Sequence, residues 1–254
     1  MFLTIPSSTV FADLDDFSDA IKSAEGSGSS SSGESSGSSG GLGEFLIEFF
    51  SRIFAIIWYY DNTYLYYNNF PYDNGSYLER PVVHEDGAVQ DNGKYYWFST
   101  SLSGFQLQGM GTGAWFSFSG HFYKFFGPYM DGYVLWDENT FLSGFRLGMQ
   151  FSLIQSKVFN LATFVQWQGW RGVLYRNGAV FGLESRIYPF KPITLRAKAG
   201  FQVFDNVSLG EMEFEAGLML KAWEVFGGYR WWNLFDGEGR NKWQGIYAGI
   251  RYYF

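Results

Sequence analysis

The chain has 254 residues, 46% hydrophobic and 22% aromatic, with 32 glycines, 17% charged residues and a net charge of −7. That charge argues against nucleic acid as a partner. With no cysteine and only two histidines, His84 and His121, there is no disulfide framework and no thiolate or histidine-rich metal site, and no cofactor is expected. Mean hydropathy is −0.12, and no run of about 18 uncharged apolar residues occurs, which excludes a spanning helix. A chain rich in aromatics and glycine yet neutral in mean hydropathy has strongly different faces that average out along the sequence.

The chain opens with MFLTIPSSTVFADLDD. Val10 and Ala12 stand at −3 and −1 of a cut after Ala12, and an acidic stretch follows, as at the end of a secretory signal peptide. Residues 1–12 are therefore read as a truncated signal-peptide remnant, lacking the basic n-region and most of the apolar h-region. Residues 13–43 are read as a disordered linker, acidic and then Gly/Ser-rich, because 26–41 are all Gly or Ser except Glu34. In the next segment, 44–93, Glu44, Glu48 and Arg52 fall at i, i+4 and i+8 beside Ser51. On a helix they form one narrow polar stripe on an otherwise Phe, Leu, Ile and Trp surface. About 14 residues span roughly 21 Å, too short to cross a bilayer, so this apolar helix is buried against protein or lies in a membrane interface. An extended aromatic stretch carries on to residue 69. Residues 70–93, with Pro71, Pro81, EDG and DNG, read as loop.

From Lys94 to Phe254 the pattern turns to period two. In GAWFSFSGHFYKF, Ala114, Phe116, Phe118 and Phe122 share one face, and Trp115, Ser117, Ser119, His121 and Tyr123 the other. In EMEFEAGLML, Met212, Phe214, Ala216, Leu218 and Leu220 oppose Glu211, Glu213 and Glu215. Such segments are half-buried strands, longer than the ~5–6 residues usual in soluble sheets and close to the ~9–11 that cross a bilayer at a tilt. About ten are expected, with eight to twelve allowed: 94–108, 112–124, 129–136, 141–154, 158–170, 179–189, 193–204, 210–220, 223–233 and 243–254. The third is the weakest, since Pro128 and MDG interrupt it. Tight turns near 155–157, 188–192 and 221–223 alternate with longer connections at 137–140, 171–178, 205–210 and 236–241. That alternation is the mark of an all-β, up-and-down antiparallel barrel with two unlike ends.

Alternation does not by itself say which face is inside; a soluble calyx and a membrane barrel have opposite polarity. Three features favour the membrane barrel. Charges of both signs sit on neighbouring polar faces: Arg146, then Glu184 and Arg186, Arg196 and Lys198, Glu211, Glu213 and Glu215, Glu224 and Arg230, and Arg251. A narrow lumen suits such complementary ladders, because each buried charge needs a partner. The apolar faces carry almost no charge. Aromatics crowd the strand ends (KYYWF, YRWW, RYYF), as interfacial girdles do.

The closing stretch GIYAGIRYYF sets Ile246, Ala248, Ile250, Tyr252 and Phe254 at every second position. It resembles the C-terminal insertion signature of Gram-negative outer-membrane β-barrel proteins. The resemblance implies a porin-like barrel in the bacterial outer membrane. It implies the barrel-assembly machinery as reader of those five residues, and outer-membrane lipid or lipopolysaccharide as surroundings. The apolar helix of 44–69 would then lie on the inner leaflet or cap the periplasmic mouth. A lumen lined by Trp115, Tyr123, Arg146, Arg196, Glu213, Arg230, Tyr247 and Arg251 would be largely filled, with Gly245 and Gly249 leaving room for the Tyr247 ring. The expected role is structural or surface-interacting rather than enzymatic. Alternatives are a narrow channel for small solutes, a lipid A deacylase or acyltransferase built on Ser119 and His121, and a soluble barrel binding an apolar ligand. If the signature is read as the resemblance implies, deleting Phe254 reduces assembled barrel far more than the loss of one buried ring would; wild-type levels of the heat-modifiable form in the deletion variant would refute it.

Overall fold

Each strand's two unlike faces can both be accommodated if the sheet closes on itself. The computed structural model of the chain describes residues 14–27, 82–83, 89–90, 96–122, 126–137, 140–155, 159–204, 207–235 and 242–254. It contains the strands β1 (Tyr96–Leu107), β2 (Gly111–Phe122), β3 (Phe126–Asp137), β4 (Thr140–Gln155), β5 (Phe159–Gly172), β6 (Arg176–Phe190), β7 (Ile193–Phe204), β8 (Val207–Leu220), β9 (Trp223–Phe235) and β10 (Lys242–Tyr253). These ten form a closed barrel in which each pairs with its chain neighbours and β10 pairs antiparallel with β1. At that seam Phe98 and Phe254 exchange both backbone hydrogen bonds at 3.0 Å. The expected strand number holds, and the ends fall within a few residues of the sequence reading. The third strand runs unbroken through Pro128, which lies opposite Met149 on β4.

The connections differ from expectation. The segment read as a loop at 171–178 shrinks to 173–175, because the β5–β6 ladder continues out to Trp170 opposite Arg176. At 205–210 only 205–206 separate two strands, and 236–241 is the longest link. Inside β4 a bulge between Ser152 and Ile154 inserts Leu153, so Ile154 takes the outward position. Within the stretch read as loop, Val82–Val83 pairs with Val89–Gln90 as a two-residue ladder.

Polarity sorts as a membrane barrel requires. Outward side chains are apolar and exposed: Phe145, Leu147, Phe214, Leu218, Ile246 and Ile250, for example. Inward ones over much of the height are polar and buried: Ser99, Ser101, Arg146, Gln150, Gln166 and Glu211 among them. A soluble calyx has the reverse arrangement, so that reading is overturned. No described helix is long and apolar enough to cross a membrane, which does not bear on crossing by strands.

At the mouth away from Phe254 the inward residues turn apolar: Leu107, Leu135, Leu142, Trp170, Leu209, Trp232, Leu234 and Trp243. A helix, α1 (Leu14–Ser27), is seated there. Leu14, Phe17 and Ile21, at i, i+3 and i+7, are fully buried against that apolar ring. The Phe17 ring lies 4.7 Å from Trp243, 5.5 Å from Trp170 and 6.3 Å from Trp232, between centroids. Leu14 N donates to Asp137 Oδ2 at 3.3 Å, and Ser18 Oγ to the Val173 carbonyl at 3.3 Å. Asp15 and Asp16 in its first turn complement the N-terminal dipole.

This corrects the reading of 13–43 as wholly disordered. The acidic residues occupy the outer face of a helix whose inner face is apolar. The helix read at 44–69 lies outside the described residues, as does the signal remnant at 1–12. Truncating Phe17 to Ala is expected to cost about 3–5 kcal/mol of docking energy. The measurement is trypsin cleavage at Lys22: it accelerates in the variant while the barrel's heat shift is unchanged. Unaltered cleavage would mean that α1 is not held by this contact.

Candidate functional site

Inward positions of ten strands converge on a space too narrow for bulk water, so the lumen is the candidate site. Among the described residues it holds six carboxylates, Asp131, Glu184, Glu211, Glu213, Glu215 and Glu224, and six cations, Arg146, Arg186, Arg196, Lys198, Arg230 and Arg251. These twelve charges cancel.

Among the described residues the ionic contacts form two groups, one joining Arg146, Glu211, Lys198 and Asp131, the other the remaining eight charges. Arg146 from β4 reaches across the lumen to Glu211 on β8 as a planar fork, with Nη1–Oε1 2.9 Å and Nη2–Oε2 2.8 Å, both side chains fully buried. Fork-to-carboxylate geometry gives direction as well as energy. Glu211 also accepts from Gln202 Nε2 at 2.8 Å and lies 3.4 Å from Lys198 Nζ. Lys198 in turn lies 3.8 Å from Asp131, which accepts from Trp115 Nε1 and Gln166 Nε2. Towards the C-terminal end, Glu184 accepts from Arg186 Nε at 2.7 Å, Arg196 Nη2 at 2.7 Å and the Tyr129 hydroxyl at 3.1 Å. Arg251 bridges Glu215 at 2.8 Å and Glu224 at 2.6 Å. Glu224 also accepts from Tyr253 at 2.7 Å and from Thr194. Arg230 pairs with Glu213 at 3.0 Å and lies 3.8 Å from the centre of the Trp115 ring, a cation held over an aromatic face.

The wall formed by β1 and β2 is uncharged. Ser99 and Ser119 share a hydrogen bond of 2.9 Å, and Ser101 and Ser117 one of 2.6 Å. Between this wall and the ion pairs lies a cavity of about 20 Å³ bordered by Ser101, Ser103, Arg196, Glu213, Arg230 and Tyr247, room for about one water.

All ten residues of the expected charge ladder, Arg146, Glu184, Arg186, Arg196, Lys198, Glu211, Glu213, Glu215, Arg230 and Arg251, face inward. Asp131 was missed because it sits in the MDG stretch read as an interruption; its parity with Tyr129 and Tyr133 was the available signal. Ser119 and His121 are not brought together. Ser119 is bonded to Ser99, and His121 Nε2 lies 2.7 Å from Ser152 Oγ on β4, with Gln150 beside its Nδ1 at 3.4 Å. The Tyr247 ring does not take its room from Gly245 and Gly249, where a Cβ would instead strike the β1 carbonyls of Gln106 and Leu102. It packs on Gly228 of β9, where a Cβ would lie 2.6 Å from the ring. Ile246, Ala248, Ile250, Tyr252 and Phe254 share the outward face of β10.

A closed barrel with an apolar belt outside and a charged, self-neutralising interior is a transmembrane β-barrel, of the type found in the bacterial outer membrane. No family model and no curated protein matches the chain. Solved structures similar to it include "KdgM porin" at 10% identity and TM-score 0.39, over 61% of this chain and 98% of that one. The outer membrane protease OmpT from Escherichia coli is similar at 11% identity and TM-score 0.38, over 63% and 96%. An anion-selective porin from Comamonas acidovorans is similar at 9% identity and TM-score 0.35, over 56% and 48%.

Replacing Arg146 by Met leaves Glu211 with an uncompensated share of buried charge and should destabilise the barrel by about 3–5 kcal/mol. Adding Glu211→Gln should recover much of this. Urea unfolding in lipid or detergent, arranged as a double-mutant cycle, measures the coupling; additive losses would mean that the fork is energetically idle.

Proposed function

We propose that the protein is an outer-membrane barrel with a sealed lumen, serving a structural or surface-interaction role. The observation that carries this reading is the lumen itself: twelve mutually paired charges around a cavity of about 20 Å³, with α1 seated over one mouth. A solute path would require several buried ion pairs to part together, each break leaving charge without a partner. The outward residues of β10 act as the segment read by the barrel-assembly machinery. With the C-terminal strand end facing the periplasm, α1 faces the outside. The serine wall of β1 and β2 supports a second reading, a narrow channel that opens when the opposite ion-paired wall shifts. Catalysis by Ser119 and His121 lacks the contact that a nucleophile and its base require.

Planar-bilayer recording separates the two leading readings. Purified barrel is expected to give no steady single-channel steps, and a variant lacking 14–27 also none, because the ionic layer beneath the helix still fills the lumen. Steady steps from the wild type would overturn the sealed reading. Steps from the deletion variant alone would make α1 the sole barrier.

A further inference from the structure

The outer surface is not uniformly filled by its apolar belt. Across β1 to β5 one row of paired positions reads Leu102, Phe116, Gly132, Phe145, Gly169. The next row, towards the α1 mouth, reads Ala114, Val134, Ser143, Arg171. Small residues therefore alternate with large ones, leaving a groove of about 390 Å³ between the Phe116 and Phe145 rings. Gly132 forms its floor: a Cβ built there would find no atom nearer than 3.9 Å. The groove is not a gap between mismatched parts, since the strands beneath it stay in register.

Arg171 closes the groove at its mouth-facing end. This is an outward, exposed cation beside Ser143, on a face otherwise lined by apolar side chains such as Leu102, Phe116, Val134 and Phe145. It stands near the end of β5, one outward row short of the exposed Trp136–Phe141 pair, where an interfacial girdle meets headgroups. Its guanidinium touches neutral acceptors: Nη1 donates to the Trp170 carbonyl at 2.6 Å, and both terminal nitrogens reach Asn177 Oδ1 at 3.3 and 3.4 Å. The Tyr175 ring lies 5.1 Å below it. Among the described residues no carboxylate neutralises it.

We propose that this groove is a site for an anionic phosphate-bearing membrane lipid, with one acyl chain laid over Gly132 between the two phenylalanines and the phosphate on Arg171. An apolar trough ending in an unneutralised, splayed guanidinium matches the two ends of such a molecule, and a guanidinium binds phosphate oxygens through paired donors. A second copy of the chain would need an anion opposite Arg171, and among the described residues no outward strand position carries an exposed carboxylate. The inference rests on the membrane-barrel reading.

The test reconstitutes the whole chain in nanodiscs of phosphatidylcholine and phosphatidylglycerol with identical acyl chains, and counts lipid retained after mild delipidation by native mass spectrometry. The wild type should retain phosphatidylglycerol about fivefold over phosphatidylcholine, as one cation near the surface gives. Arg171→Gln should abolish the preference. Gly132→Leu, which fills the floor, should reduce retention of both lipids. Heat-modifiability gels confirm that each variant is assembled, and membrane fractionation tests the barrel reading separately. Equal retention of the two lipids by the wild type, or retention indifferent to both substitutions, overturns the site; a soluble, heat-insensitive protein overturns the barrel beneath it.

Discussion

The rest of the structure depends on the seam between β10 and β1. In hydrocarbon no water is available to an unpaired N–H or C=O, so a sheet with free edges cannot be stable there. Pairing with chain neighbours satisfies every strand except the first and the last. Those two are satisfied only when Gly245–Tyr253 meets Ser99–Leu107. Such a contact, between segments far apart in the chain, carries a large closure entropy. The seam is correspondingly well reinforced at its C-terminal end, where Phe98 and Phe254 exchange both backbone bonds and Phe98 stacks on Phe118 at 5.6 Å.

Closure dictates the electrostatics. Once ten strands form a ring, every inward side chain is removed from bulk water, and an isolated ion there is far too costly to keep. The chain carries 25 acidic and 18 basic residues, a net charge of −7. Among the described residues the lumen takes six of each. The described lumen charges cancel one another. Balance is also local, since Glu211, Glu184 and Glu224 each receive several donors from more than one strand. Ties that cross the lumen, as Arg146 to Glu211 does, resist ovalisation of the ring, which pairing between adjacent strands would not.

How much of this was legible in the sequence follows from the physics of each part. Period-two alternation is a local signal, repeated ten times, so strand number and the inward face of residues such as Arg196 and Glu213 could be read directly, and strand limits to within a few residues. Cross-lumen partners could not. Complementary charges on neighbouring strands suggested lateral pairs, and Glu213–Arg230 and Glu224–Arg251 are such pairs in register, but Arg146 reaches Glu211 four strands away, and Glu184, in register with Lys198, is bonded to Arg186, to Arg196 and, across the lumen, to Tyr129. Barrel diameter and side-chain length decide such choices, and neither is written in a strand's own pattern. The Ser119–His121 pairing failed for a related reason. Two residues apart on one strand, the side chains stand side by side along the lumen wall, and each finds its partner on another strand, Ser119 on β1 and His121 on β4. Loop length was overestimated at 171–178 because polar residues at a strand end resemble a loop.

The least legible element, α1, is explained by the lumen rather than by its own sequence. The inward face is not polar along its whole height. Near the mouth opposite Phe254 it becomes a ring of Leu and Trp from β1, β3, β4, β5, β8, β9 and β10. In an empty barrel this ring would meet water at an open mouth, an exposed apolar patch of the kind that calls for a partner. Leu14, Phe17 and Ile21 supply one. Three apolar residues among aspartates are a weak helical signal on their own, and an acidic stretch beside a Gly/Ser run is rightly read as disordered when nothing is present to bury it. The inward leucines and tryptophans of the strands are the other half of that signal. In a barrel whose charges are already satisfied, an apolar inner rim at one mouth implies a tenant for that mouth, and here the tenant lies in the same chain.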